Sequence, residues 1–493
     1  MKKINIEIIN YNQGQLDGPM VIMNKLYEEF GIKHPNAWHI KMAGGREWDG
    51  IVHYITEYGK FKIGLLPIIY KRLVELEYEV KVIDNREPIR IVPKVPKMVG
   101  NLKPRPQQRQ VMDAIINNKV GGKPFYIGTQ NLAVNFGKSM IMAGLYLAFK
   151  KGLKTLLLTN DKDWLEQSRS EFKDLLPGEN ITFVQGGKVF NWGNFSIGMV
   201  QSISRNLGNY QKELNNIDML LIDEGDLIDN KTYKGVIQHL WGTSVRLIFS
   251  GSIYMSKLKK DLVHNMNIRQ FAGDELTIIK LDEMIKKGYS TPVIVKMVPT
   301  EYNKDKKKLG GYPDEYSKVI STSQHAYGVS LDRTRYNLQY GRTPMLIVTK
   351  YIEHCEKLYS YYMSYISLLE KSAGRKLVVK RVHHDTKDRK KILSNFRDGK
   401  IDILISNTFI ARGKNFPLLQ YMQNTASMDS NEKTLQLMGR LVRTHESKTK
   451  TYLDDIQYNG KYLSKHAKHR KNYYTKENLK VIMLNRLTPK KSL

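Results

Sequence analysis

Gly137, Lys138 and Ser139 close a phosphate-binding pattern inside the segment NLAVNFGKSMIMAG, residues 131–144. A glycine lets backbone N–H groups approach a phosphate, a lysine reaches its oxygens, and a serine hydroxyl can ligate Mg2+. The full pattern, G-x-x-x-x-G-K-[ST], asks for glycine where this chain has Leu132. Asn135 tolerates positive φ, whereas Phe136 crowds the loop. Alone, the segment reads equally as a nucleotide cradle or as a chance Gly-Lys-Ser. LLIDEGD (220–226) narrows the choice, because an apolar strand there ends in Asp223 and Glu224. Open α/β sheets bind ligands at the carboxyl ends of their strands. Asp223 is the expected Mg2+ ligand beside Ser139, and Glu224 the residue that polarises an attacking water. The acids lie 85 residues beyond Lys138 with strands between. Together the two motifs predict an ATPase that uses ATP and Mg2+.

A third group stands near the carboxyl end. QLMGRLVRT (436–444) has a helical period that puts Gln436, Arg440 and Arg443 on nearly one face. Arginines on a second α/β domain can stabilise charge on a transferring γ-phosphate. The plain alternative is a basic amphipathic helix packed on a core.

Two sheets are needed to hold these residues. From about 107 to 255 the apolar runs KTLLLT, ITFV, SIGMV, DMLLID and VRLIFS alternate with polar helical stretches. That is the pattern of strands buried in a parallel sheet. YIG (126–128) would lead into the Gly-Lys-Ser turn, with SMIMAGLYLAF as the helix behind it. TPVIVKMV, TPMLIVT, KLVVKRV, IDILIS and NLKVIML repeat the alternation from about 292. Two consecutive α/β domains follow. KLDEMIKKGYSTP reads as a helix and crossing between them, and NKDKKKLGGYPDEY (303–316) as an exposed loop. Ahead of both, residues 1–95 read as a small mixed unit. In it MVIMNKLYEEFGI forms a short helix, and IVHYITEY and KFKIGLLP form strands joined near Gly59. IVPKVPKMVGNLKPRP (91–106) reads as a linker.

Bulk properties bound the class. A chain of 493 residues exceeds one ordinary core. Its single cysteine, Cys355, excludes an internal disulfide and a cysteine-built metal site, and fits a reducing cytoplasm. No run of eighteen apolar residues occurs, so no membrane role is expected. Lys and Arg number 79 against 48 Asp and Glu, a net charge of +31. Such an excess favours nucleic acid through release of counterions, with coding bias as the alternative source.

At this point the chain resembles superfamily 2 helicases, since Q-x-x-G-R-x-x-R at 436–443 is similar to their motif VI. Other stretches fall in the family's order. RPQQ (105–108) resembles the adenine-reading Q motif, with Gln108 as reader. TLLLTNDKDWLEQ (155–167) resembles motif Ia, and MVQSI (199–203) motif Ic. SGS (250–252) is similar to motif III, MLIVT (345–349) stands at motif IV, and SNTFIARGKNFP (406–417) resembles motif V. The resemblance implies DNA-backbone contacts at Thr159, Asn160, Gln201, Ser202, Thr349 and Thr408. It implies nucleotide contacts at Gln108, Asn135, Phe136, Gly137, Lys138, Ser139, Gly413 and Asn415, where Asn415 replaces the usual Asp. Gly225 and Asp226 set DEGD apart from the DEAD, DEAH and DECH subfamilies.

REWDGIVHYITEYGKFKIGLLP (46–67) and YLSKHAKHRKNYY (462–474) are similar to parts of phage UvsW-type branch-migration helicases. The fold implied is α/β, with two tandem RecA-like domains at 96–285 and 286–493 behind a small α+β accessory domain at 1–95. The implied activity is an ATP-dependent DNA helicase or translocase working on single-stranded, forked or four-way-junction DNA in phage recombination, repair or replication, in the host cytoplasm. RNA stays open as a substrate, and a monomer is the expected state. Arg46, Trp48 and Lys60 are accessory DNA contacts by this reading; Trp48 would stack on an exposed base pair or else be structural. Lys465, His466, Lys468, His469, Arg470 and Lys471 would form a basic helix face toward phosphate, or serve solubility alone. Two rivals remain: a terminase-type packaging ATPase, and a non-catalytic nucleic-acid-binding protein with a degenerate P-loop.

Overall fold

The computed structural model describes residues 2–42, 48–87, 89, 91–149, 153–186, 192–251, 253, 259–300, 310–407, 410 and 416–485. The chain divides into two compact units: Met1–Leu132 with Gly137–Ile278, and Ala133–Phe136 with Ile279–Leu493.

The first unit holds two sheets. A four-stranded sheet runs Lys60–Lys62, Gln13–Asp17, Lys2–Ile8, Tyr78–Asp84 in spatial order. Alternation sets its inner face, because Ile4, Ile6 and Ile8 are buried while their neighbours are not. The run KFKIGLLP is a strand only through Lys62. It then tightens into a single turn and starts the helix Leu66–Glu75, where Pro67 sits in the first turn and needs no N–H partner. The second sheet has seven parallel strands in the order Ile181–Val184, Phe195–Met199, Thr155–Thr159, Met219–Asp223, Val245–Ser250, Ile127–Leu132, Glu275–Ile279.

These two sheets share a core. Phe125, Ile127 and Met266 join the cluster built by Ile6, Leu65, Leu66 and Ile69. Tyr54 Oη lies 3.0 Å from the Val263 carbonyl and 2.9 Å from Asn267 Oδ1. Fully buried Arg246 donates from Nη2 to the Tyr11 carbonyl at 2.7 Å, with its guanidinium over the Phe271 and Trp241 rings. Excising residues 1–95 would therefore strip apolar cover from the seven-stranded sheet of this unit. Point substitutions are the sounder probe of that region.

The second unit carries another seven-stranded parallel sheet, ordered Val379–Val382, Ile403–Asn407, Met345–Thr349, Tyr421–Asn424, Thr451–Gln457, Val293–Pro299, Lys480–Met483. Two central strands were not among the expected ones. YMQN and TYLDDIQ are polar in sequence, yet Gln423, Asn424, Asp454 and Asp455 are buried. Each of these residues has a partner inside, and the two acids have arginines: Arg333 Nε donates to Asp454 at 2.6 Å, and Arg470 forms a two-pronged pair with Asp455, its shortest contact 2.7 Å. The loop expected at 303–316 is half replaced. Tyr312–Tyr316 is helical, and buried Glu315 accepts from the N–H groups of Tyr462 and Leu463 at the start of the helix Leu463–Lys476. The lysine run 304–308 lies outside the described residues.

His354 is buried in this unit, with Nδ1 2.8 Å from Tyr316 Oη. Burial pushes its pKa down to about 3 from the ordinary value of 6.5. Between those values the unfolded chain binds a proton that the folded one refuses, so stability is lost as pH falls from 6.5 toward 3. His354→Gln should flatten the fall in melting temperature across that window relative to the wild type. Identical slopes would contradict this assignment.

Candidate nucleotide and nucleic-acid site

In the first unit the strand Ile127–Leu132 runs five residues short of the key glycine. Leu132 is the last strand residue and is buried, so the missing first glycine falls on the sheet and not in the turn. The turn follows: Asn135 has φ 66° and Gly137 φ 85°. Asn tolerates the left-handed region and glycine adopts it freely. Phe136 points inward and is buried, its N–H donating to the Ala133 carbonyl at 3.2 Å. The crowding expected of Phe136 is thus avoided. Asn135 Nδ2 donates to the Tyr289 carbonyl at 3.2 Å.

The helix Lys138–Phe149 begins at the lysine, and its first N–H groups face the turn. Lys138 Nζ lies 2.6 Å from Asp223 Oδ1, at the carboxyl end of Met219–Asp223. Burial alone would lower the lysine pKa. The carboxylates of Asp223, Glu224 and Asp226 outweigh it and hold Lys138 above its ordinary value, fully charged. Ser139 and Asp223 are both buried polar groups. Their hydroxyl and carboxylate are the hard oxygen donors that Mg2+ prefers.

Glu224 itself has φ 58°, and a single turn of helix over Gly225–Leu227 follows. The glycine of DEGD has a packing cause: a Cβ there would lie 1.8 Å from Ile248 Cγ2 on the adjoining strand. Asp226 accepts from Ser250 Oγ at 3.1 Å, which ties the acidic turn to the end of Val245–Ser250. Ser252 lies outside the described residues.

Gln108 is buried at the start of the helix Pro106–Ile116, its Oε1 accepting from the Arg105 N–H at 2.9 Å. A Cβ on Gly137 would come within 2.7 Å of Gln108 Nε2, so the amide stands directly beside the phosphate-loop glycine. A cleft of about 390 Å3 opens there, lined by Leu102, Arg105, Gln108, Gly137, Met140 and Leu175.

Thr159, Asn160, Gln201 and Ser202 gather at the carboxyl ends of two neighbouring strands. Gln201 Nε2 donates to the Asn160 carbonyl at 3.3 Å, and Ser202 Oγ accepts from the Gly186 N–H at 3.2 Å. Thr159 is buried, with Oγ1 accepting from the Asp161 N–H. Thr349 in the second unit is likewise buried, its hydroxyl donating to the Ser406 carbonyl at 3.3 Å. Both threonines are turned into the protein. Thr408, Gly413, Asn415 and Arg46 lie outside the described residues. Trp48 is half-buried and its Nε1 donates to the Ile51 carbonyl at 2.8 Å, the structural alternative.

Gln436 and Arg440 lie one turn apart on the helix Asn431–Leu441, both half-buried. Arg443 stands two residues beyond the helix end, whereas the period of the sequence carries the helix to it. Both ends of this helix are held by residues that the sequence did not single out. Ser430 Oγ caps its start by accepting from Lys433 N, and Lys448 Nζ donates to the carbonyls of Leu441 and Arg443 past its end. Arg470, expected on an exposed basic face, is instead buried on Asp455 and donates to the Met428 carbonyl at 2.8 Å. His469 and His466 of the same helix turn toward Asp429. Lys465, Lys468 and Lys471 remain exposed. Nothing in KHAKHRK marks Arg470 as the inward residue.

Family models match one to each parallel sheet. Residues 101–254 match the type III restriction enzyme res subunit, and residues 331–445 match the helicase conserved C-terminal domain. The chain belongs to the superfamily 2 helicases. Over 279 residues this helicase is 22% identical to "Putative helicase 22" of Sulfolobus islandicus filamentous virus, covering 54% of this chain and 47% of the viral protein. The chain thus spans about half the length of that curated relative. Among solved structures, UvsW of T4 aligns over 98% of this chain and 99% of its own, at 16% identity and TM-score 0.46. The ATP-dependent Type ISP restriction-modification enzyme LlaBIII, bound to DNA, aligns over 79% of this chain and 32% of its own, at 14% identity and TM-score 0.55. That last likeness is one of fold. No helix among the described residues of the helicase is long and apolar enough to cross a membrane.

Gly225→Ala should destabilise the first unit by about 1–3 kcal/mol, the usual cost of overpacking a core, seen as a lower denaturant midpoint. An unchanged midpoint would show that Ile248 has room to move.

Proposed function

We propose that this helicase is an ATP-driven motor that moves along DNA and remodels forked or four-way-junction substrates, serving phage recombination, repair or replication. The observation that carries the reading is the cluster of Gln108, Gly137, Lys138, Ser139, Asp223 and Glu224 at one edge of the first parallel sheet. In this account the cleft beside Gln108 takes the adenine, whose ring edge the buried amide can read by hydrogen bonds. Gly137 and the first N–H groups of the following helix hold the β-phosphate. Lys138 leaves Asp223 for the phosphate oxygens, and Asp223 with Ser139 is thereby released to hold Mg2+. That ion neutralises phosphate charge when bound. Glu224 orients the attacking water, and Arg440 and Arg443 supply positive charge during transfer.

Movement follows from coupling. Asp226 and Ser250 join the acidic turn to the end of the neighbouring strand Val245–Ser250, so a change at the phosphate is passed to that strand end. Asn160, Gln201 and Ser202 are the proposed backbone contacts on this unit. Phosphate contacts position a protein without reading sequence, which suits a motor that must travel over any sequence. The net charge of +31 supports a polyanionic track.

The test is ATP turnover measured with no DNA, single strands, duplex, a fork and a four-way junction. Stimulation by DNA, largest with branched forms, is expected; turnover indifferent to every nucleic acid would favour a packaging-type or inert relative. Lys138→Ala should reduce turnover by about 10²-fold or more, the scale on which phosphate-stabilising groups act. Arg443→Ala should leave nucleotide binding in place and cut turnover by about 10³-fold, the lower range for an arginine finger. Turnover that survives in Arg443→Ala would move the role to Arg440.

A further inference from the structure

We propose that Trp38 is a base-stacking contact through which the N-terminal sheet region engages unpaired DNA. The inference rests on the motor reading above and adds a residue that neither the sequence motifs nor the family models reach. Of the five tryptophans, Trp48, Trp164, Trp192 and Trp241 are all at least half covered, whereas Trp38 is 66% exposed. It sits on the short helix Ala37–Met42, and Met42, one turn later on the same face, is 71% exposed. The Trp38 ring meets the adjacent His39 ring edge-on at 5.0 Å, and the exposed indole and methionine leave free energy unrealised, since burying such side chains is worth roughly 1.5–3 kcal/mol each.

The helix is presented on a firm base. It lies within the excursion between two paired antiparallel strands, Gly31–Lys33 and Ile51–His53. The His34 N–H donates to the Gly50 carbonyl at 2.9 Å, and the His34 ring meets the Trp48 ring edge-on. Below, the His53 ring stacks on Tyr27 at 3.8 Å. Trp48 therefore supports the projection, and Trp38 is what projects.

Charge and size select the occupant. From Phe30 to Met42 the chain carries Lys33, His34, His39 and Lys41 and no acidic residue. A stable protein partner requires about 1,000 Å2 or more of buried surface, far beyond one indole and one methionine. A single nucleobase needs no more than an aromatic face with cations nearby for its phosphate.

The experiment is equilibrium binding of the full chain to a fork with single-stranded arms, by fluorescence anisotropy. Arms with normal bases are compared with arms of abasic residues. Trp38→Ala should weaken binding to the normal fork by about tenfold, within the range known for loss of one stacked base. Trp38→Phe should recover most of that, and both variants should match the wild type on the abasic fork. Equal binding of wild type and Trp38→Ala to the normal fork overturns the proposal. So does an equal loss on both forks, which would mark a structural effect, and so does a change in oligomeric state, which would mark a protein contact. The motor reading has its own readout in these samples: absence of DNA-stimulated ATP turnover in the wild type would sink that reading, whatever Trp38 does.

Discussion

Lys138 and Asp223 are separated by 85 residues, yet their side chains meet at 2.6 Å. Asp223 is buried and Lys138 partly so, and each makes the other's charge more tolerable. The contact exists because the strand Ile127–Leu132, which leads into the turn before Lys138, and the strand Met219–Asp223 end at the same edge of one sheet, with a single strand between them. Ser139, Glu224 and Asp226 are then placed by chain continuity with that pair. On the proposed reading the pair is also the resting form of the site. A phosphate would draw Lys138 away, and the released carboxylate would be free to hold Mg2+. Holding, sensing and release are thus one exchange of partners.

The second unit is organised around different ion pairs. Asp454 and Asp455 are adjacent on one buried strand and point to opposite faces. One takes Arg333 and the Tyr421 hydroxyl; the other takes Arg470, Tyr474 and Asn424. Removing one member of such a buried pair typically costs about 3–5 kcal/mol. Arg470 also holds the Met428 carbonyl just ahead of the helix that bears Gln436 and Arg440. A C-terminal segment that looks like a basic tail is therefore an internal brace for the arginine helix, with Lys465, Lys468 and Lys471 left to solvent.

Much of this was legible in the sequence because it obeys local rules. Apolar runs such as KTLLLT and VRLIFS are buried strands, and Gly-Lys-Ser with Asp-Glu announced the site. What was not legible depended on distant partners. YMQN and TYLDDIQ look like surface, and only Arg333, Arg470 and their neighbours make them core. Leu132 looked like a defect in the loop, but it is the end of a strand. Gly225 looked like a subfamily mark; it is the space that Ile248 fills. Trp48, open in the sequence to a stacking or a structural role, donates to the Ile51 carbonyl and meets the His34 ring edge-on.

The N-terminal region illustrates the same dependence at larger scale. Its sheet shares a core with the first motor sheet and is pinned by a buried arginine whose guanidinium sits against two rings. It is a fixed attachment to that unit. The central claim, however, is the exchange at Lys138 and Asp223. Binding of a fluorescent ATP analogue, titrated with Mg2+ in wild type and Asp223→Asn, tests it most directly. The account predicts that Mg2+ tightens binding in the wild type and that Asp223→Asn loses this dependence while still binding nucleotide. An Mg2+ dependence unchanged by Asp223→Asn would contradict it.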